Sequence, residues 1–420
     1  MKAEILTIGD ELLIGQVVDT NSAWMGQKLN LSGIEVHRKT TVSDQPEDIL
    51  HALDLALSVS SIVLITGGLG PTKDDITKSV LCAYFKTSLR FNQEVYSDLE
   101  RMFAHRGLKV TELNRKQAEV PSNCTPIRNK NGTAPGMWFE LKGKVIVSMP
   151  GVPYEMMAMV ENDVLPRLKQ HFNLPAIFHK TILTQGIGES FLSELISDWE
   201  DNLKSKNIKL AYLPANSKVR LRLSAHGSDR EELSEKVNAE IEKVKVLISD
   251  YIYGYENFGE EEPPLEKIVG DMLKQRKASL ATAESCTGGY ISHLLTRVPG
   301  CSAYYMGSVI SYSNEVKMLE LNVPESLIAQ FGVVSKEVVE SMALGLKKKL
   351  NVDYVIAASG IAGPDGGTAD KPVGTVWIAI AYPEGVQSEK FLFGTNRERN
   401  IERTAMTALN ILRKLLKKKN

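Results

Sequence analysis

The chain has 420 residues, 43% of them hydrophobic and 24% charged, with a formal net charge of −1. That length exceeds one ordinary core and implies two or three domains of soluble globular type. The near-neutral balance gives no electrostatic reason to bind nucleic acid or an anionic membrane, and no apolar run approaches the ~20 residues that a bilayer span requires. The opening MKAEILTIGDELL enters a strand pattern at once and lacks signal-peptide anatomy, so a cytoplasmic location is expected. Cys82, Cys124, Cys286 and Cys301, with seven unclustered histidines, fit neither a disulfide framework nor a zinc site. Any metal here is expected to be a hard cation held by carboxylates.

Residues 1–168 alternate short apolar runs with helical patterns. AEILTIG (3–9), SIVLITGG (61–68) and KVIVSMPG (144–151) read as buried strands, with helices over 21–31, from near Asp75 and near Tyr154. This alternation argues for a parallel sheet covered on both faces. Sites on such a sheet form beyond the carboxyl ends of its strands. There the sequence places Gly9, Asp10 and Glu11, then Asn21, and the loop Thr66-Gly67-Gly68-Leu69-Gly70-Pro71-Thr72-Lys73-Asp74-Asp75. Its glycines allow a phosphate to approach backbone N–H groups, although the loop is neither GxGxxG nor a Walker A motif. Asp74 and Asp75 either hold a divalent cation against a pyrophosphate or cap the next helix. Loops 131–137 and 149–153, the latter with Pro150 and Gly151, complete the set.

Residues 169–256 form a small α+β module. KTILTQGIG (180–188) and KVRLRLSAHG (218–227) alternate as half-buried strands, and 189–204 and 229–248 are charged helical patterns. NFGEEEPP (257–264) reads as a linker.

Residues 265–420 begin with an amphipathic helix. Strands follow at 278–285, 303–313, 353–360 and 375–383, and a basic-ended helix over 398–419 closes the chain. In TAESCTGG (282–289) a strand runs through small polar residues into a helix. A hydroxyl there is either a nucleophile facing free N–H groups, if a base lies nearby, or a helix cap at Ser285 or Thr287. Cys286 is the rival nucleophile, and His293 reads as a surface or packing residue. GSVISYSNEVK (307–317) delivers Tyr312 and Lys317. A desolvated lysine can serve as base for a serine, while an ordinary reading makes Lys317 a surface residue. SGIAGPDGG (359–367) is a glycine-dense loop suited to an anion, and Arg397 and Arg399 add fork-shaped donors.

AESCTGG, SYSNEVK, SGIAGPDGG and KPVGTVW, in that order, resemble the C-terminal domain of the CinA family, a nicotinamide mononucleotide deamidase. The resemblance implies that Ser285 attacks the carboxamide, Lys317 is the base and Tyr312 assists at the oxyanion or leaving group. It implies that Thr287, Gly288, Gly289, Ser308, Gly360 and Gly363 hold the substrate, with Arg397 or Arg399 near its phosphate, and that no cofactor is needed. GDELLIGQVVDTN, TGGLGPTKDD, NGTAPGM and MPGVPYEM resemble the MoaB/MogA-like, three-layer α/β/α molybdopterin-binding fold of the same family. That likeness implies a pyrophosphatase hydrolysing ADP-ribose with Mg, Co or Mn, bound by Gly9, Asp10, Glu11, Asn21, Thr66, Gly67, Gly68, Gly70, Thr72, Pro150 and Gly151. The middle module resembles a KH-type domain without the RNA-clamping GXXG: GIGE (186–189) ends in glutamate. A structural or dimer-forming role follows, and a homodimer is expected. The competing reading is a non-catalytic nucleotide-binding scaffold linked to competence or DNA damage.

Overall fold

The computed structural model describes residues 1–72, 74–105, 107–215, 218–260 and 262–418. Lys73 of the glycine-rich loop, Glu261 of the linker pattern and Lys419 of the closing helix pattern lie outside the described residues. Met1–Phe178 with Ala225–Glu235 form one compact unit, and the remaining described residues form the other.

The first unit carries β1 (Lys2–Ile8), β2 (Glu35–Val42), β3 (Ile62–Thr66), β4 (Leu89–Phe91), β5 (Glu119–Pro121), β6 (Thr125–Ile127), β7 (Gly136–Leu141) and β8 (Lys144–Met149). Its main sheet has the order β2-β1-β3-β8-β7-β6, and β4 pairs with β5 apart from it. Side chains of a strand alternate between faces, and here both faces are covered. Ala3, Ile5, Ile62, Leu64, Val145 and Val147 enter one core with Met25 and Leu29 of the helix Thr20–Leu31. Leu6, Ile8, Val63, Ile65 and Ile146 enter the other with Leu53 and Ala56 of the helix Pro46–Val59. The expectation of a parallel sheet holds for the pairings of β2, β1, β3 and β8; β7 runs against them and pairs antiparallel with both β8 and β6. The cause is a two-residue turn. Lys142 and Gly143 sit at φ +49° and +78°, which brings Leu141 opposite Lys144 and reverses the chain. β2 and the helix Pro46–Val59 have no counterpart among the sequence-derived elements.

The middle module consists of β9 (Ala176–Gln185), β10 (Ile208–Ala215), β11 (Lys218–Gly227) and β12 (Ile252–Asn257), ordered β10-β11-β9-β12, with helices Glu189–Lys204 and Arg230–Ile248. After β12 the linker pattern is pinned: Glu262 accepts from the Tyr253 hydroxyl and from Lys218.

The C-terminal part holds β13 (Leu280–Glu284), β14 (Tyr305–Ile310), β15 (Tyr354–Gly360), β16 (Thr375–Tyr382) and β17 (Gly385–Leu392), ordered β14-β13-β15-β16-β17. β14, β13 and β15 are parallel, while β16 and β17 are antiparallel additions. Leu280, Ile356, Ile378 and Ile380 pack against helices Leu265–Arg276 and Arg397–Lys418. Ala281, Ala283, Val355 and Ala357 face Val338, Val339 and Met342 of the helix Lys336–Leu350. Buried alanines on that face let helix and sheet approach closely. β13 is flanked by a strand on each side, so its carboxyl end opens between two loops.

No helix among the described residues is long and apolar enough to cross a membrane.

Candidate functional site

β13 ends at Glu284, and Ser285 is the first residue beyond it. The Ser285 N–H donates to the Ala358 carbonyl of β15 at 3.0 Å, which fixes its backbone to the sheet. The residue is buried, 8% exposed. It does not cap the next helix, and neither does Thr287: that helix, Tyr290–Thr296, starts after Gly289 with no side-chain cap. Its free N–H groups are taken instead by the Glu284 carboxylate, which accepts from the N–H of Gly289 (3.0 Å), Ile291 (3.1 Å) and Ser292 (2.8 Å) and from the Ser292 hydroxyl (2.7 Å). An anion at a helix start is favoured by the dipole as well as by these bonds. Ser285 is thereby released from capping. The N–H groups of Cys286 and Thr287 have no acceptor among the described residues, and the buried Thr287 hydroxyl has no partner. This role of Glu284 in shaping the turn was not anticipated from the sequence.

Lys317 reaches this point from the helix Asn314–Leu321, whose first turn is capped by the Ser313 hydroxyl accepting from the Val316 N–H. One turn in, Lys317 lies on the buried side with Leu321. It is 2% exposed, which removes the surface-lysine reading. Its Nζ donates to the Ser285 Oγ at 3.1 Å, to the Ser311 carbonyl at 2.7 Å and to the Tyr312 carbonyl at 3.4 Å. Burial holds the Lys317 amine below its ordinary value. Cys286 goes the other way: burial pushes its thiol up to about 12, so it stays protonated and inert.

The Tyr312 ring is exposed, and its phenol oxygen accepts from Arg397 Nη2 at 2.9 Å. Arg397 Nη1 donates to the Gly363 carbonyl at 2.8 Å, so the glycine loop joins the same cluster. Gly363 sits at φ +91°, where a side chain would also strike Val373. The Asn400 amide donates to the carbonyls of Ala362 (2.9 Å) and Gly394 (2.8 Å) and holds that loop from beneath. Three expected residues stand apart. The Ser308 hydroxyl is spent on the Thr282 carbonyl, Gly360 packs against Val376 and the Thr375 carbonyl, and the Arg399 guanidinium makes no ion pair or hydrogen bond among the described residues. His293 is exposed and stacks on Tyr290.

In the first unit, the carboxyl ends of β1, β3 and β8 surround a crevice of about 430 Å³. Of the residues expected to bind the pyrophosphate or its cation, all line it except Asp10 and Thr72, and the 131–137 loop contributes Thr133 and Ala134. Asn21 knits the strand ends together: its amide donates to the Thr66 hydroxyl (3.2 Å) and the Gly151 carbonyl (2.8 Å), and Thr66 donates to the Pro150 carbonyl (2.8 Å). The buried Asn21 Oδ1 is left without a partner. A side chain at Gly67 would strike the Ile8 carbonyl, so the loop passes the end of β1 only as glycine. The N–H groups of Gly68, Leu69 and Gly70 have no acceptor among the described residues, as an anion cradle requires.

Asp75 accepts from the N–H and hydroxyl of Thr72, so it shapes the loop and is not the cap of the helix Thr77–Tyr84. Asp74 is exposed. Asp44, after β2, also lines the crevice and was not anticipated. Burial pushes its carboxyl up, as do the charges of Asp10, Glu11 and Asp74, against a bond from the Asp10 N–H that lowers it. Among the described residues no three acidic, histidine or cysteine side chains converge on a metal position. These carboxylates, which make no ion pair among the described residues, nevertheless fit a hard cation that takes its other ligands from phosphate and water. Glu155, also unanticipated, is buried and accepts from the Asn129 amide at 2.6 Å, which orders the 131–134 loop beside the crevice.

Residues 4–170 match the family described as "Probable molybdopterin binding domain", 179–254 the damage-inducible protein CinA KH domain, and 262–416 the CinA C-terminal domain. A CinA-like protein of Cytophaga hutchinsonii is 47% identical over 415 residues, spanning 99% of this chain and 98% of its own. One from Flavobacterium psychrophilum is 46% identical over 415 residues, with the same coverage of 99% and 98%. The crystal structure of a competence/damage inducible protein from Agrobacterium tumefaciens aligns with 38% of this chain and 99% of its own, at 32% identity and a TM-score of 0.36. The architecture is an N-terminal MoaB/MogA-like domain, a KH-like middle domain and a C-terminal CinA domain.

Proposed function

We propose, from the premise that this chain belongs to the CinA family along its whole length, that its C-terminal part hydrolyses the amide of nicotinamide mononucleotide. The observation that carries the reading is the buried contact of 3.1 Å between Lys317 Nζ and Ser285 Oγ. A lysine kept below its ordinary value by burial supplies a neutral amine at lower pH than a surface lysine. That amine takes the Ser285 proton as Oγ bonds to the carboxamide carbon. The oxyanion is met by the N–H groups of Cys286 and Thr287 and by the Thr287 hydroxyl. The Lys317 ammonium returns its proton to the departing nitrogen, which leaves as ammonia. Water then attacks the Ser285 ester, with Lys317 again as base, and nicotinic acid mononucleotide is released.

The N-terminal crevice suits a second hydrolysis, of ADP-ribose to AMP and ribose 5-phosphate. The unpaired N–H groups of Gly68, Leu69 and Gly70 favour a pyrophosphate, and Asp44 and Asp74 are the carboxylates placed to hold a divalent cation. When bound, such a cation neutralises charge on the phosphate oxygens. Asn21 and Gly67 keep the strand ends and the loop in the shape that receives it.

Ammonia release from nicotinamide mononucleotide tests the first assignment. Wild type is expected to release it and Ser285→Ala to lose at least ~10³-fold in kcat; equal release by both would overturn the reading. AMP formation from ADP-ribose with added Mg, Mn or Co tests the second, and full activity in EDTA would refute the cation's part in it.

A further inference from the structure

The arginine at the start of the closing helix joins two parts of the site. Arg397 spends Nη1 on the Gly363 carbonyl at 2.8 Å and Nη2 on the Tyr312 phenol at 2.9 Å. Both anchors are built. Gly363 is confined by its positive φ and by Val373, and the residue's own helix is locked to the same loop through Asn400. The Tyr312 ring, in contrast, stands 61% exposed, beyond a backbone carbonyl that lies 3.4 Å from Lys317 Nζ. An exposed ring rooted beside the catalytic pair samples several rotamers unless something holds its end. The guanidinium does so, and since it donates to the phenol oxygen, the phenol keeps its own O–H for an acceptor in the site. Arg399, two residues on, has an exposed guanidinium without hydrogen bond or ion pair among the described residues.

We infer that Arg397 is a positioning residue that orients Tyr312 at the amidase site. The inference rests on the reading of this half as a nicotinamide-nucleotide amidase. It divides two arginines that the sequence leaves equivalent.

Two measurements on the full chain test it. The first needs no turnover: the protein is labelled with ¹³Cζ-tyrosine, and the Tyr312 signal is assigned by its loss in Tyr312→Phe. Arg397→Gln is expected to move that signal to the position of a solvated tyrosine, while Arg399→Gln leaves it in place. An unmoved signal in Arg397→Gln overturns the proposal. The second is a kinetic cycle with nicotinamide mononucleotide. Arg397→Gln is expected to lower kcat about tenfold or more, the weight of a charge-assisted hydrogen bond. Adding Tyr312→Phe in that background should cost less than about twofold further, because the two act as one unit. A raised KM at unchanged kcat in Arg397→Gln, or independent multiplying losses, refutes the positioning role. Should wild type release no ammonia, the amidase reading fails by itself, and the tyrosine signal still decides whether Arg397 holds Tyr312.

Discussion

The two ends of the chain solve the problem of a site at strand ends in different ways. At the end of β13, the Ser285 hydroxyl and the Lys317 amine are in contact, and the Glu284 carboxylate has already taken the helix N–H groups. At the ends of β1, β3 and β8, no reacting pair is assembled among the described residues; N–H groups and carboxylates surround open space. The contrast follows from the chemistry each site is suited to. Covalent catalysis at an amide needs two protein groups in register before the substrate arrives. Transfer at a phosphate needs a cradle and charge compensation, most of which is completed only by the ligand and its cation.

If this contrast is right, damage should be steep and local at the first site and graded at the second. The largest expected effect is at Lys317. Lys317→Arg keeps the charge but cannot give up its proton, and ammonia release should fall by about 10³-fold or more. For wild type, kcat/KM should rise with pH as Lys317 loses its proton, with a midpoint below the ordinary lysine value of 10.5, since burial favours the neutral amine. A rate that is flat or falls on the alkaline side would contradict that assignment. Next comes Asp44. Asp44→Asn should lower AMP formation from ADP-ribose by roughly 10- to 100-fold and leave ammonia release unchanged. Loss of both activities would mean that the variant has unfolded or that the two sites are not separate.

Smaller effects sharpen the picture of the preassembled site. Glu284→Gln presents an amide NH₂ to donors that now meet a carboxylate, and should cost about 2 kcal/mol in a denaturant titration, with reduced ammonia release. Unchanged stability would show that Glu284 does not hold the turn. Cys286→Ala should change kcat by less than about twofold, because a thiol held up to about 12 is neither nucleophile nor base near neutral pH. A large loss there would return Cys286 to the chemistry.

Much of this was legible in the residues. The strand-then-small-polar segment at 282–289 and the lysine at 317 are visible as types, but not their contact. Ser285 and Lys317 are 32 residues apart, and they meet because β13 and β14 run parallel with Glu284 opposite Ile310. The capping alternative for Ser285 or Thr287 fails for a physical reason: Ser and Thr are the usual capping residues, and here a carboxylate from the preceding strand takes the helix N–H groups. Asp44 was invisible because β2, EVHRKTTV, reads as a charged stretch, being half exposed at the edge of its sheet. The antiparallel pair β7 and β8 was missed because its turn is Lys142-Gly143, and the usual signal has Asn or Asp before the glycine.

The central claim, that Ser285 is acylated, is tested most directly by quenching the protein during turnover of nicotinamide mononucleotide and weighing the peptide that carries residue 285. The account predicts a mass increase on Ser285 matching the nicotinate mononucleotide ester, absent in Ser285→Ala, which should also release no ammonia. Ammonia released at the wild-type rate by Ser285→Ala would contradict it.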